Sequence, residues 1–133
     1  MSQQQIPSGP GNLVPYSEHR QFLAAGTIVA NTFVALGDTG YSAIECTAIL
    51  HPIGIAQEAA VTGEWFDVVV SGYAASLTNN GTDVVAGDGL FASTNGYALP
   101  LAASVATTTL PGAIAVQADT STTCTGVMVV KTI

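Results

Sequence analysis

The chain has 133 residues, 48% of them hydrophobic and only 8% charged, and carries a net charge of −7. That length suits a single domain able to bury a real core without metals or disulfides, and a surface so poor in ions loses little hydration when it docks. Arg20 and Lys131 are the only cations, so neutralising phosphates with release of counterions is beyond this chain, which argues against nucleic acid and anionic membranes as partners.

Taken in order, residues 1–16 stand apart. Met1 to Gln5 has neither the basic region nor the apolar run of a signal peptide, and no stretch anywhere is apolar for long enough to cross a bilayer. Gln3 to Gln5, Pro7, Gly9, Pro10, Gly11 and Pro15 give the segment no period, and they favour extended backbone. Ile6, Leu13, Val14, Pro15 and Tyr16 are interspersed. Two readings stand side by side: a frayed terminus, and an extended N-terminal arm whose apolar residues contact a neighbouring subunit.

From residue 17 to 133 the pattern is that of one β-rich domain. Thr27 to Leu36 is rich in β-branched residues and ends at Gly37-Asp38. Tyr41 to Thr47 alternates, with Ile44 and Cys46 opposite Tyr41 and Glu45. Residues 52–60 and 102–106 each have room for a short helical turn, without a sustained 3.6-residue stripe. Glu64 to Ser71 is the clearest strand: Phe66, Val68 and Val70 share one face, and Trp65, Asp67 and Val69 the other. Tyr73 to Leu77, Val84-Val85, Leu90 to Ser93, Tyr97 to Leu101, Ile114 to Ala118 and Gly126 to Lys131 complete the predicted strands. Asn79-Asn80-Gly81, Asp88-Gly89 and Asn95-Gly96 supply residues that tolerate positive φ, as hairpin turns require. Turns at such short intervals predict an all-β fold, a compact antiparallel sandwich or barrel-like domain.

Chemistry-bearing motifs are few. Asp38-Thr39-Gly40 matches the aspartic-protease triplet, but Gly37 stands where an apolar residue is needed, and the favoured reading is a Gly-Asp-Thr-Gly turn. His19 and His51 lack ligand partners at metal-binding spacing. Glu58, Glu64 and Asp67 read as a solvated face more readily than as an acid–base set. Asn80-Gly81-Thr82 fits the glycosylation pattern but reads as a turn. Cys46 and Cys124 are expected to be buried and reduced, with a disulfide as the alternative. Trp65, the lone tryptophan, is a core or interface anchor, or else a platform for stacking a sugar. The expectation is a protein without catalysis, metal or cofactor.

The order of several pieces resembles the capsid cement, or head-decoration, proteins of tailed bacteriophages, over roughly residues 20–133. Gly-Thr-Ile-Val-Ala-Asn (26–31) precedes Pro-Ile-Gly-Ile-Ala-Gln-Glu (52–58). Ala-Ala-Val-Thr-Gly-Glu (59–64), the strand Trp65 to Val70 with Ser-Gly-Tyr (71–73), and Val-Ala-Gly-Asp-Gly-Leu (85–90) follow. The resemblance implies a non-enzymatic structural protein, assembled in the host cytoplasm, that binds the outer capsid surface and bridges major capsid protein subunits. It also implies self-association, as a homotrimer or alternatively a homodimer. A receptor- or carbohydrate-binding β module on the virion surface is the alternative, and a retroviral-type aspartic protease a remote one.

Overall fold

The computed structural model describes residues 17–100, 111–119 and 122–132. The arm, with Ile6, Leu13, Val14, Pro15 and Tyr16, and the turn expected at 102–106 lie outside those residues. The elements are β1 (Ser17–Ala24), β2 (Phe33–Leu36), β3 (Ser42–Glu45), β4 (Gly54–Ala56), β5 (Trp65–Thr78), β6 (Gly89–Ala92), β7 (Ala98–Pro100), β8 (Ala113–Ala115) and β9 (Thr123–Val129). The all-β expectation therefore holds. No helix among the described residues is long and apolar enough to cross a membrane.

All the strands belong to one sheet, in the order β1-β3-β2-β4-β5-β9-β8-β6-β7, and β1 also pairs with β5. That extra ladder closes β1, β3, β2, β4 and β5 into a ring. A closed ring has no free edge between its members. The remaining strands extend from β5 as a wing. Strand β1 runs parallel to β3, whereas every other ladder is antiparallel. The sheet is therefore mixed, a correction to the wholly antiparallel expectation.

Two cores follow from the alternation of side chains in β2, β4 and β5. Inside the ring lie Phe22, Val34, Ala43, Ala56, Phe66, Val68 and Val70, joined by Ile28, Ile53 and Ala60 from the connections. On the opposite face of the same strands, Phe33, Ala35, Ile55 and Val69 pack beneath the wing against Leu77, Leu90, Cys124 and Val127. Phe33 and Phe66, one from each core, are both 0% exposed, and each such burial contributes about 1.5–3 kcal/mol. Strand β5 serves both cores because it is long and buried on both faces over Val68, Val69 and Val70.

Several boundaries differ from the sequence reading, each for a physical reason. Strand β1 was not expected, because Glu18, His19, Arg20 and Gln21 hide its alternation; it is a strand because it pairs with β5 from Ser17↔Gly72 to Leu23↔Trp65. Of Thr27 to Leu36, only Phe33–Leu36 is strand. The helical turn expected within 52–60 is replaced by β4, where Gly54 and Ile55 pair with Val34 and Phe33, and Ile55 with Val69. The two strands expected over 64–77 are one, bent at Gly72 (φ 91°). Val84 makes only an isolated bridge to Asp119. Asn95-Gly96 is the hairpin turn expected, both residues having positive φ between β6 and β7. Asn80-Gly81 is a turn, with the Thr82 N–H donating to Asn80 Oδ1, but it leads into a connection because β5 pairs with β9.

Candidate assembly surfaces

The polar groups act mainly as fasteners. Glu58 Oε2 accepts the Asp67 N–H at 3.0 Å, Glu64 Oε1 the Val61 N–H at 2.9 Å, and Asp88 Oδ2 the Val85 N–H at 2.9 Å. Glu58 thus lies against Asp67 by way of its amide, whereas Glu64 holds the turn at Val61. Among the described residues, no group of three or more His, Cys, Asp and Glu side chains is placed to hold a metal ion. Asp38 and Thr39 are exposed in the turn between β2 and β3, where Gly37 N–H donates to the Ser42 carbonyl and Ser42 N–H to the Thr39 carbonyl. The turn reading of that triplet is the one observed. His51 lies in the connection before β4.

Both cations meet one carboxylate. Glu18 Oε1 accepts from Lys131 Nζ at 2.8 Å, and Glu18 Oε2 from Arg20 at 3.3 Å. The Lys131 hydrogen bond first, and then that of Arg20, holds the Glu18 carboxyl below its ordinary pKa. Nearby, Ser17 Oγ lies 2.8 Å from His19 Nε2, and His19 Nδ1 lies 2.5 Å from Asp67 Oδ2. This is the hydrogen-bonding order of a hydrolase triad, but the setting differs. The His19 side chain is 44% exposed, and Ser17 and His19 are alternate residues of one strand. The chain ties β1 to β5 beside the register shift at Glu18/His19. Sequence reasoning had no signal for it, since His19 and Asp67 are 48 residues apart.

Cys46 and Cys124 are both free and buried. Burial pushes the Cys46 thiol up to about 12, and burial together with the Asp119 charge pushes Cys124 up to about 11. Both are therefore protonated and inert at neutral pH.

Among the described residues, Val29, Ile49 and Val85 are large hydrophobic side chains exposed in connections, and other exposed ones fall in two places on the sheet. Trp65, the residue singled out by the sequence, is 56% exposed, so it is not a core anchor. The ladders set it opposite Leu23, place Leu23 beside Ser42, and set Leu36 opposite Ala43. Tyr41 (76% exposed) stands in the turn before β3, its carbonyl accepting the Leu23 N–H, Leu36 (53%) ends β2, and Val61 stands in the turn before Trp65. Tyr41 is held at positive φ, 64°, a conformation uncommon for a bulky residue. Tyr41, Leu36 and Val61 were missed as interface candidates, because their exposure depends on which strands become neighbours.

The second place is the outward face of the wing. Tyr73 is opposite Met128, Met128 opposite Ile114, and Ile114 opposite Gly89, one row across four strands. Ser76 opposite Thr125 and Thr78 opposite Thr123 continue the face. None of these residues is Asp, Glu, Lys, Arg or His.

No family model matches the chain, and no curated protein matches it in sequence. Among solved structures, its fold is similar to that of the head fiber gp8.5 N base in bacteriophage phi29, with a TM-score of 0.61 and 14% identity over 86% of this chain and 95% of that one. At that identity, the likeness is one of fold.

Proposed function

We propose that this chain is a structural virion protein of a tailed bacteriophage that binds the outer capsid surface and stabilises the shell by bridging major capsid protein subunits. The observation that carries the reading is the exposure of Trp65 opposite Leu23, with the exposed Tyr41 in the turn that hydrogen-bonds Leu23. Large aromatic side chains held by a sheet and its tight turns give up little entropy on docking, and they are the usual anchors of interfaces. The fold likeness to a phage head fiber base, spanning most of both chains, supports the virion setting. So do the glycine-centred motifs that resemble those of cement proteins, which here have structural work. Gly63 (φ 94°) makes the turn that Glu64 caps, and Gly72 bends β5.

In this proposal the domain acts by contact area repeated through symmetry, as a homotrimer or a homodimer, and shell stability rises by mass action. The test is binding to shells assembled from the major capsid protein of the same phage. Trp65→Ala is expected to weaken binding by about tenfold or more while leaving the unfolding midpoint of the free protein nearly unchanged. Full-strength binding by both Trp65→Ala and Tyr41→Ala variants would remove these two side chains from the contact.

The exposure of Trp65 on β5 and of Tyr41 in the turn before β3 also favours a second reading, a carbohydrate- or receptor-binding module on the virion surface. Glycan binding that is lost on Trp65→Ala, with shell binding absent in the wild type, would select it.

A further inference from the structure

The sequence holds two Asn-Gly pairs, at 80–81 and 95–96, and the fold treats them differently. An asparagine side chain loses ammonia when the amide nitrogen of the next residue attacks its Cγ, and glycine, having no Cβ, leaves that approach open. The attack needs a glycine N–H free of other bonds, a Cγ held close to it, and room for the ring that forms.

Asn80-Gly81 offers all of these. Both residues are exposed, and a Cβ built on Gly81 would meet nothing within 4 Å. The Gly81 N–H donates to no acceptor among the described residues. Asn80 Oδ1 accepts the Thr82 N–H at 3.2 Å, so the side chain folds along the Gly81 peptide in an Asx-turn. That hydrogen bond brings Cγ toward the Gly81 nitrogen and polarises the side-chain carbonyl toward attack. Asn95-Gly96 is the opposite case. The Gly96 N–H donates to the Ser93 carbonyl at 3.1 Å, and Gly96 is buried. A Cβ on Gly96 would lie 2.6 Å from the Phe33 carbonyl oxygen. Ring closure there has to break the bond of a buried donor and push the Gly96 backbone off Phe33.

We propose that Asn80 is a site of spontaneous deamidation in the folded protein, and that Asn95 is protected from it. The Gly81 nitrogen bonds to Asn80 Cγ and gives its proton to hydroxide. The Cγ–Nδ2 bond breaks, and the departing nitrogen takes a proton from water and leaves as ammonia. Water then opens the cyclic imide at either carbonyl, which leaves aspartate or isoaspartate at position 80. Each product adds one negative charge to a chain already at −7, in a turn that holds Asp83. The isoaspartate also lengthens the main chain between two ties: the Asn80 N–H to the Ala98 carbonyl at 3.1 Å, and Asn79 Nδ2 to the Thr82 carbonyl at 2.6 Å. It therefore loosens the junction of β5 with β7. The inference stands on the two turns, independently of the virion reading.

The test is peptide mass spectrometry on the wild-type chain aged in mildly alkaline buffer, both folded and unfolded in urea. In the folded protein, position 80 is expected to lose its amide at least about tenfold faster than position 95, with aspartate and isoaspartate both among the products. In urea the two rates are expected to converge, because the fold makes the difference. Asn80→Gln is expected to abolish the early acidic species seen by ion exchange. Equal loss at positions 80 and 95 in the folded chain would overturn the proposal. So would a position 80 that keeps its amide in the folded chain while the unfolded chain loses it.

Discussion

Gly54 sits where β4 is pressed between β2 and β5. A Cβ there would lie 2.3 Å from the Val69 carbonyl oxygen and 2.7 Å from the Val68 side chain. Backbone cannot yield as a flexible side chain can, so Gly54→Ala is expected to cost about 2–3 kcal/mol or more in urea unfolding. Gly40→Ala, where nothing lies within 4 Å, is expected to change stability by less than about 0.5 kcal/mol. The sequence marks Gly54 as part of a recurring motif but not the reason for it, because that reason is the backbone of a strand far along the chain. Glu18 makes a prediction of a different kind. Its folded pKa lies below the ordinary 4.5, so its ion pairs stabilise the fold above that value, and the contribution disappears as pH falls through the depressed folded value. The difference in melting temperature between wild type and Glu18→Gln is therefore expected to be present at neutral pH and to vanish in acid well below 4.5. A difference that persists there would show that charge is not its source.

Among the elements, β5 was the most legible and β1 the least. Strand β5 announces itself by its apolar, β-branched run from Trp65 to Val70, interrupted only by Asp67. The outward side chains of β1, from Ser17 to Gln21, are polar or charged and mask its pairing. Strand β4 is only three residues long, too short for any periodicity, and its strand character comes wholly from the partners on either side. The same partners predict dynamics. Amides of Val68, Val69 and Val70 lie in a strand paired on both sides and buried on both faces, so they are expected to open only with the whole domain. Among the described residues, strand β7 pairs with β6 along one side and has only isolated contacts beyond. Its amides are expected to exchange at least about a hundredfold faster in a hydrogen-exchange measurement.

For the molecule as a whole, the all-β class was readable from turn spacing, whereas closure of the ring was not. Closure rests on β1–β5 and β1–β3 ladders between segments well separated in sequence, and such non-local pairing leaves no local mark. The candidate surface was legible only in Trp65. Tyr41 comes from the turn before β3, and the wing's face is visible only once β5, β9, β8 and β6 are placed side by side. Sedimentation equilibrium checks self-association: the proposed trimer gives three times the 13.4 kDa chain mass, the dimer twice. A monomer at every accessible concentration would mean that the subunits meet only on the shell.

The β1–β5 ladder also sets how the domain bears load. A pull applied through the chain before Ser17 runs along β1, while the hydrogen bonds to β5 lie across that direction. The rungs from Ser17↔Gly72 to Leu23↔Trp65 therefore resist sliding together, in shear, and cannot be peeled one at a time. Lys131 grips Glu18 near the loaded end of the same strand, so tension entering at one terminus passes partly to the other without crossing the core. A tether fixed at this point would fail abruptly and late, like a lap joint, and not gradually like a zipper.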